Sequence, residues 1–476
     1  MRNYLARVSR ILFICLAFCL FFFSYSSAGS SGKAGYLEEF KKDERVLILA
    51  PHPDDESIAC AGVIQEALAK GAKVKIAYLT NGEHNEFAFI VYEKRITFKK
   101  NEFIHMGKIR REEAIKAMEL IGLSDKDLVF LGYPDFGTFT IFNRYWQEGK
   151  PFRSLLTRIS KVPYQDGFSS GAPYLGESIL KDLKKVILDY RPDKIFVSHP
   201  ADVNVDQKSL YLFLQVALAD IKDLHPKPKV YPYLVHHSGW PAPRHYHPKL
   251  DLNPPKSFSG FQIKWLKFNL SPEQLEKKHK AILCYKSQTE SSAFYLLAFA
   301  RKNELFGDYS PVSLKEQVSL KEQLISFFGH SEMFSASSLE GGDLSETNIS
   351  ENKGRVSYAL ADKMLIIKIE KPRNLLYRFS TMLYIFGYSY SKPFADMPKL
   401  RIITKHDNFK VLDGGKMINP QGVVLELSSQ ALILKVPLSV IGSPDFILTS
   451  ANVYTGRKQG EDSAVDTIGF RRINLN

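Results

Sequence analysis

The sharpest chemical signal in the chain is a run of six residues, Pro51, His52, Pro53, Asp54, Asp55 and Glu56. His52 and Asp55 stand three apart. At a helix start both side chains can turn toward one point, and an imidazole nitrogen with a carboxylate oxygen suits two ligands of a zinc ion. Asp54 points elsewhere. Beside a metal-bound water it is the natural general base, because zinc brings the pKa of that water to about 7. The competing reading of these acids is a helix N-cap, where carboxylates satisfy free amides and the helix dipole.

The surrounding elements must place these residues. Residues 45–50 (RVLILA) read as a buried strand, and 57–70 as a helix with Ile58, Val63, Ile64, Ala67 and Leu68 on its inner side, stopped by Gly71. Strands over 73–80, 128–131, 194–198 and 229–235 then alternate with helices over 110–120, 175–190 and 206–221. That alternation predicts an α/β fold, a Rossmann-like, mostly parallel sheet with flanking helices. Ligands of such sheets bind past the carboxyl ends of the strands, where the run at 51–56 falls. Two aromatic, basic stretches, 87–108 and 137–172, lack a clean period and read as loops or caps over a site.

The run at 52–56 resembles the first motif, A-H-P-D-D-E, of the PIG-L or LmbE-like zinc deacetylases, with Pro51 replacing the alanine. Members of that family remove acetyl groups from N-acetylglucosamine-containing substrates. Further matches follow in order. Thr80, Asn81, Gly82 and Glu83 are similar to the family's T-x-G-E turn, Arg110 to Glu113 with Gly122 to its R-x-x-E helix, and Gly132, Tyr133, Pro134 and Asp135 to the turn after its third strand. His236, His237, Ser238, Gly239, Trp240 and Pro241 resemble the late histidine and W-P segment of several members. The second motif, H-P-x-D-x-H/N-x-D-H, stands here as His199, Pro200, Ala201, Asp202, Val203, Asn204, Val205, Asp206 and Gln207.

The resemblance implies a zinc-dependent hydrolase that frees the amine of an N-acetylated amino sugar in a glycan or glycolipid. It assigns His52, Asp55 and residue 207 to the metal, Asp54, His199 and Asn204 to catalysis, and Asn81, Asp135, His236 and His237 to the substrate. Gln207 departs from the family's histidine. A neutral amide oxygen is a weak zinc donor, so affinity should fall, and water, His199 or one of His236 and His237 are further candidates for the shell. Asn204 can donate to an oxyanion but cannot shuttle a proton. His199 also admits a bland reading, a strand-end ring bonded to backbone. His236 and His237 are adjacent on a strand, so their side chains take opposite faces and at most one enters the cleft. Gln207 also motivates an alternative from another class: a degenerate member that binds glycan without hydrolysing it.

The rest of the 476 residues supplies context. Three arginines precede an apolar run of 13 residues that small residues follow, so 1–28 reads as a secretory signal. An uncleaved anchor is the alternative, although a span needs about 20 apolar residues. The protein is therefore expected to be exported. Lysine and arginine number 64 against 51 acids, a net charge of +13, and an anionic envelope surface is the expected partner for that charge rather than nucleic acid. Four cysteines, two of them within 1–28, cannot staple a chain of this length, and Cys60 and Cys284 are left to pair or stay free. Residues 331–354 have the serine, glycine and acid content of a linker, and the short strands beyond them predict an antiparallel β-sandwich that resembles sugar-binding or DOMON-like modules. The expected organisation is a signal at 1–28, a deacetylase-like unit at 36–330, a linker at 331–354 and an accessory sandwich at 355–476.

Overall fold

The structure, a computed structural model, describes residues 34–94, 99–147, 149–258, 263–316, 356–370, 379–405, 408–427, 431–455 and 464–475. The expected signal and linker lie outside these residues. The first unit runs β1 (Gly35–Tyr36), β2 (Arg45–Ala50), α1 (Asp55–Ala69), β3 (Lys73–Thr80), α2 (Glu86–Glu93), α3 (Lys100–Ile121), β4 (Leu128–Tyr133), α4 (Thr138–Arg144), α5 (Gly176–Tyr190), β5 (Lys194–Ser198), α6 (Val205–Asp220) and β6 (Lys229–Tyr233). It ends with β7 (Ile263–Asn269), α7 (Pro272–Cys284), α8 (Lys286–Leu296) and β8 (Asn303–Tyr309).

These strands form one sheet in the order β1-β7-β8-β6-β5-β2-β3-β4. The stretch from β6 to β4 is parallel, and β8 adds an antiparallel extension that pairs with both β6 and β7. Strand order reverses at β2, which has β3 on one side and β5 on the other. The turns leaving β2 and β5 therefore part at a topological switch point, the crevice where open α/β sheets bind ligands. This is why the two motifs at 51–56 and 199–207 meet.

Two expectations need correction. Of the described residues in the stretch 87–108, 87–93 belong to α2 and 100–108 to the first turns of α3, and 137–172 opens with the short helix α4. The buried stripe of α3 contains Arg110 and Glu113 between Met106 and Ala114, so the charged residues hide its apolar period. Cys60 and Cys284 are both free thiols.

The second unit runs β10 (Val356–Ala361), β11 (Met364–Glu370), β12 (Phe379–Tyr388), β13 (Lys399–Lys405), β14 (Asn408–Asp413), β15 (Lys416–Ile418), β16 (Val424–Leu427), β17 (Ala431–Pro437), β18 (Phe446–Thr455) and β19 (Ala464–Leu475). Residues 356–370 form a tight hairpin that turns at Asp362 and Lys363, both at positive φ. A four-stranded and a seven-stranded sheet face each other over a core that includes Leu365, Ile367, Leu383, Ile385, Leu434 and Ile447. The larger sheet also takes in β9 (Val312–Leu314), which pairs with β19 in parallel.

The two units share a core. Phe142 of α4 packs within 5.3 Å of Phe386 and 5.5 Å of Phe394, Phe139 meets Tyr384 and Phe470, and Tyr388 Oη donates to Asp220 Oδ1 at 2.9 Å. Lys399 sits inside this seam. Its Nζ lies 4.1 Å from the Phe394 ring and 5.1 Å from that of Trp146, and donates to the Phe394 and Met397 carbonyls. Burial pulls its pKa down to about 7 against Asp413 and Asp396. Between that value and the ordinary lysine pKa of about 10.4 the unfolded chain binds the extra proton, so stability rises with pH over this window. The urea midpoint should increase from pH 7 to pH 9.5, and Lys399→Met should flatten that slope; an equal slope in the variant would rule out Lys399 as its origin.

Candidate active site

Six buried polar residues converge on the crevice: His52, Asp54 and Asp55 from the turn after β2, Asp135 from the turn after β4, and Asp206 and Gln207 from the first turn of α6. His52 joins them. Its Nδ1 lies 3.2 Å from Asp55 Oδ2, while its Nε2 lies 3.2 Å from Asp135 Oδ1 and 3.4 Å from Asp206 Oδ2. Burial opposes a charged ring, but Asp135, Asp206 and Asp55 outweigh it and hold the imidazole pKa well above its ordinary value. For Asp135 burial is likewise outweighed, here by His52 and Arg110, and its carboxyl is held below the usual range. Asp206 is raised by burial although it accepts hydrogen bonds from the Phe136 and Thr138 amides at 2.6 and 3.1 Å and from Thr138 Oγ1.

Asp54 is held differently. Its backbone has φ 122° and ψ −29°, a left-handed conformation that costs a non-glycine residue about 1–3 kcal/mol. Arg110 fixes the turn by donating to the Pro53 carbonyl at 2.7 Å, the Gly82 carbonyl at 2.8 Å and Asp54 Oδ2 at 3.1 Å. Burial raises the Asp54 pKa to about 6 against the pull of Arg110. Behind it, Glu56 accepts from the Asp54 amide at 3.1 Å, from Ser57 Oγ at 2.8 Å and from the Tyr285 hydroxyl, and burial brings its pKa to about 7. Glu83 accepts from the Asp135 amide at 3.2 Å; burial, with Asp135 nearby, lifts it to about 8.

The other sequence-predicted residues divide. Asn204 is the N-cap of α6, its Oδ1 accepting from the Asp206 and Gln207 amides, so it positions two site residues. Asn81 turns its amide to the Gly107 carbonyl at 3.3 Å, on the α3 side. His236 faces the site: Asp202 lies 3.3 Å from its Nδ1, and Asp202 and Asp55 raise its pKa against burial. His237 takes the opposite face, with Nε2 2.6 Å from Ser257 Oγ and its ring against Phe258. His199 lies among Phe258, Trp265 and Tyr309, and among the described residues no hydrogen bond or ion pair links it to His52, Asp54 or Asp55. Its Nδ1 accepts from the Ala201 amide at 3.0 Å, and burial lowers its pKa to about 3. The backbone thus occupies Nδ1 of His199, and its Nε2 is buried without a hydrogen-bond partner among the described residues.

Sequence reasoning placed Arg110, Asp202 and Asp206 in motifs without giving them a role. The signal was present: charged residues on an otherwise apolar helix face or in a first helical turn are either satisfied there or functional.

An open, mostly parallel sheet with an imidazole and carboxylates gathered at its switch point defines an α/β domain built to bind a ligand in that crevice. Residues 47–217 match the family profile described as PIG-L, GlcNAc-PI de-N-acetylase. A curated relative, 1D-myo-inositol 2-acetamido-2-deoxy-alpha-D-glucopyranoside deacetylase from Nocardioides sp., is 31% identical over 106 residues, 22% of this chain and 33% of its own. The match thus spans about a third of that enzyme's length. Among solved structures, the N,N'-diacetylchitobiose deacetylase of Pyrococcus horikoshii aligns with a TM-score of 0.32 and 18% identity, covering 52% of this chain and 70% of that one. A deacetylase of teicoplanin biosynthesis aligns with a TM-score of 0.36 and 15% identity over 55% and 97%.

The donor chemistry accommodates a divalent cation. His52, Asp135 and Asp206 each offer a ligand atom within 4.8 Å of the others. The sequence-predicted set also comes together: His52 Nδ1 faces Asp55, and Gln207 Nε2 donates to Asp55 Oδ2 at 2.7 Å. Gln207 Oε1 is buried without a hydrogen-bond partner. Such an orphan costs about 1–3 kcal/mol, and turning the amide so that its oxygen meets a cation removes the cost. Asp135 and Asp206 at Nε2 would leave the Nδ1 lone pair of His52 free to bind, the usual carboxylate–histidine–metal arrangement.

Proposed function

We propose that the first unit is an exported, zinc-dependent hydrolase that removes the N-acetyl group from an N-acetylglucosamine-type sugar of a glycan or glycolipid. The observation that carries this reading is Asp54, held in a strained turn by Arg110 beside the His52–Asp55 pair, within the residues that match the PIG-L profile. His52, Asp55 and Gln207 would hold zinc, which when bound polarises the amide carbonyl and acidifies water. Asp54 accepts the proton of the attacking water and returns it to the leaving nitrogen, so the products are acetate and a free amine. His236, oriented by Asp202, is placed to stabilise the developing oxyanion, while the side-chain oxygen of Asn204 caps α6. Asp135 holds the ring of His52 and lines the substrate side.

The glycan-binding alternative is favoured by one contact, the Gln207 amide donating to Asp55 where a ligand would stand. Zinc titration of the protein lacking residues 1–28, with acetate release from an N-acetylglucosaminide, separates the two. Wild type should bind zinc and release acetate. Gln207→His should tighten zinc by 10- to 100-fold, about the size of effect that a changed partner in a metal shell produces. A wild type that holds no zinc, beside a variant that gains both zinc and turnover, would make the native protein a binder.

A further inference from the structure

The C-terminal sandwich reaches the site through one strand. β19 pairs with β18 along its length, but the register slips between Thr449↔Arg471 and Ala451↔Ile468, so Gly469 and Phe470 together oppose Ser450. This is a β-bulge, a device that re-aims backbone groups and recurs beside functional sites. On its other side, among the described residues, β9 pairs with this strand at 473–475. The freed Phe470 amide donates to the Pro200 carbonyl at 3.2 Å. A Cβ placed on Gly469 would lie 2.4 Å from Ala201 Cβ, 2.5 Å from its Cα and 2.8 Å from its amide nitrogen. Only glycine permits that approach.

Pro200 and Ala201 open the segment that sets the crevice. Three residues on, Asn204 caps α6 and thereby fixes Asp206 against His52 and Gln207 against Asp55. Between them, Asp202 accepts from the Val235, His236 and Asn204 amides and holds His236. Arg471, next along β19, lies 4.1 Å over the Tyr309 ring, which borders His199 at the root of the same segment. We propose that the sandwich is part of the catalytic apparatus, with Gly469 and Phe470 as positioning residues that hold the 199–207 segment and through it Asp206, Gln207 and His236. This deepens the proposed function and rests on it for its catalytic consequence.

The test compares Gly469→Ala with Asn474→Ala, a change near the far end of the same strand, in the protein lacking residues 1–28. An added methyl must push Ala201 away by about 1 Å to restore an ordinary contact, and a misplacement of about 1 Å can cost up to 100-fold in turnover. Gly469→Ala should raise amide exchange in the 199–207 segment at least tenfold, weaken zinc binding in titration with the metal alone, and lower kcat more than it raises KM. Asn474→Ala should change none of these, and Ala201→Gly added to Gly469→Ala should recover part of each by taking away the opposing methyl. Unchanged exchange in Gly469→Ala, or faster exchange with unchanged zinc affinity and kcat, would reduce the sandwich to a passive support. If wild type neither binds zinc nor releases acetate, the proposed function fails, and the exchange comparison alone decides the positioning role.

Discussion

Asp54→Asn should lower acetate release by a factor of about 10² to 10⁴, the usual contribution of a positioned general base, while leaving thermal stability close to wild type. Asparagine keeps the size of the side chain and tolerates positive φ better than most residues, so the turn at φ 122° survives. Arg110 retains its bonds to the Pro53 and Gly82 carbonyls, and the amide oxygen can still accept from its third N–H. The Ser57 and Ile58 amides continue to donate to the residue-54 carbonyl at 3.0 Å, so the start of α1 is unchanged. What is lost is a group able to take a proton. Melting curves and turnover measured together separate these effects, and a variant that keeps a tenth of the wild-type rate would remove Asp54 from the base role.

The position of this residue was legible in the sequence because several signals agree there. A six-residue apolar strand, a proline-bracketed histidine and an acidic first helical turn specify a strand-to-helix turn at the carboxyl edge of a sheet. The second motif was legible in place but not in function. The resemblance gave His199 a catalytic place, whereas the ring, its Nδ1 accepting the Ala201 amide, is set by Phe258, Trp265 and Tyr309, contacts remote in sequence. Asn204 was read as an oxyanion donor, and its capping geometry depends on where α6 begins.

The antiparallel extension was missed for a similar reason. β7 alternates poorly, since Lys264 and Lys267 interrupt Ile263, Trp265, Leu266 and Phe268, and its partner β8 lies beyond two intervening helices. Yet α7 announces itself. Ser271, Pro272, Glu273 and Gln274 spell a capping box with proline at the first helical position, and the structure forms it, with the Ser271 amide donating to Gln274 Oε1 at 2.9 Å and the Gln274 amide to Ser271 Oγ at 3.2 Å. The shared core of the two units had no local signal. Phe139, Phe142 and Trp146 read as a loop over a site, and they became interface when their apolar partners proved to come from residues 384–470.

The same extension carries the largest stability effect expected outside the crevice. Lys278 of α7 and Glu304 of β8 form an ion pair of 2.8 Å with both side chains fully buried. Glu304 also accepts from the Gly62 and Val63 amides of α1 at 2.7 and 2.9 Å, so one carboxylate joins three elements. α1 sits close enough to the start of this extension that a Cβ on Gly62 would lie 2.8 Å from Leu270 Cγ. Removing one partner of a buried pair costs about 3–5 kcal/mol because the other charge loses its compensation, whereas replacing both can be nearly neutral. Lys278→Met should therefore lower the urea midpoint sharply, and adding Glu304→Gln should restore part of the loss, since the amide oxygen still accepts from one of the two α1 N–H groups without leaving a charge behind. Because α1 begins at Asp55, zinc affinity should fall and recover in step with the midpoint. Equal midpoints for the single and double variants would show that Lys278 contributes packing alone, and that two amides suffice to hold Glu304.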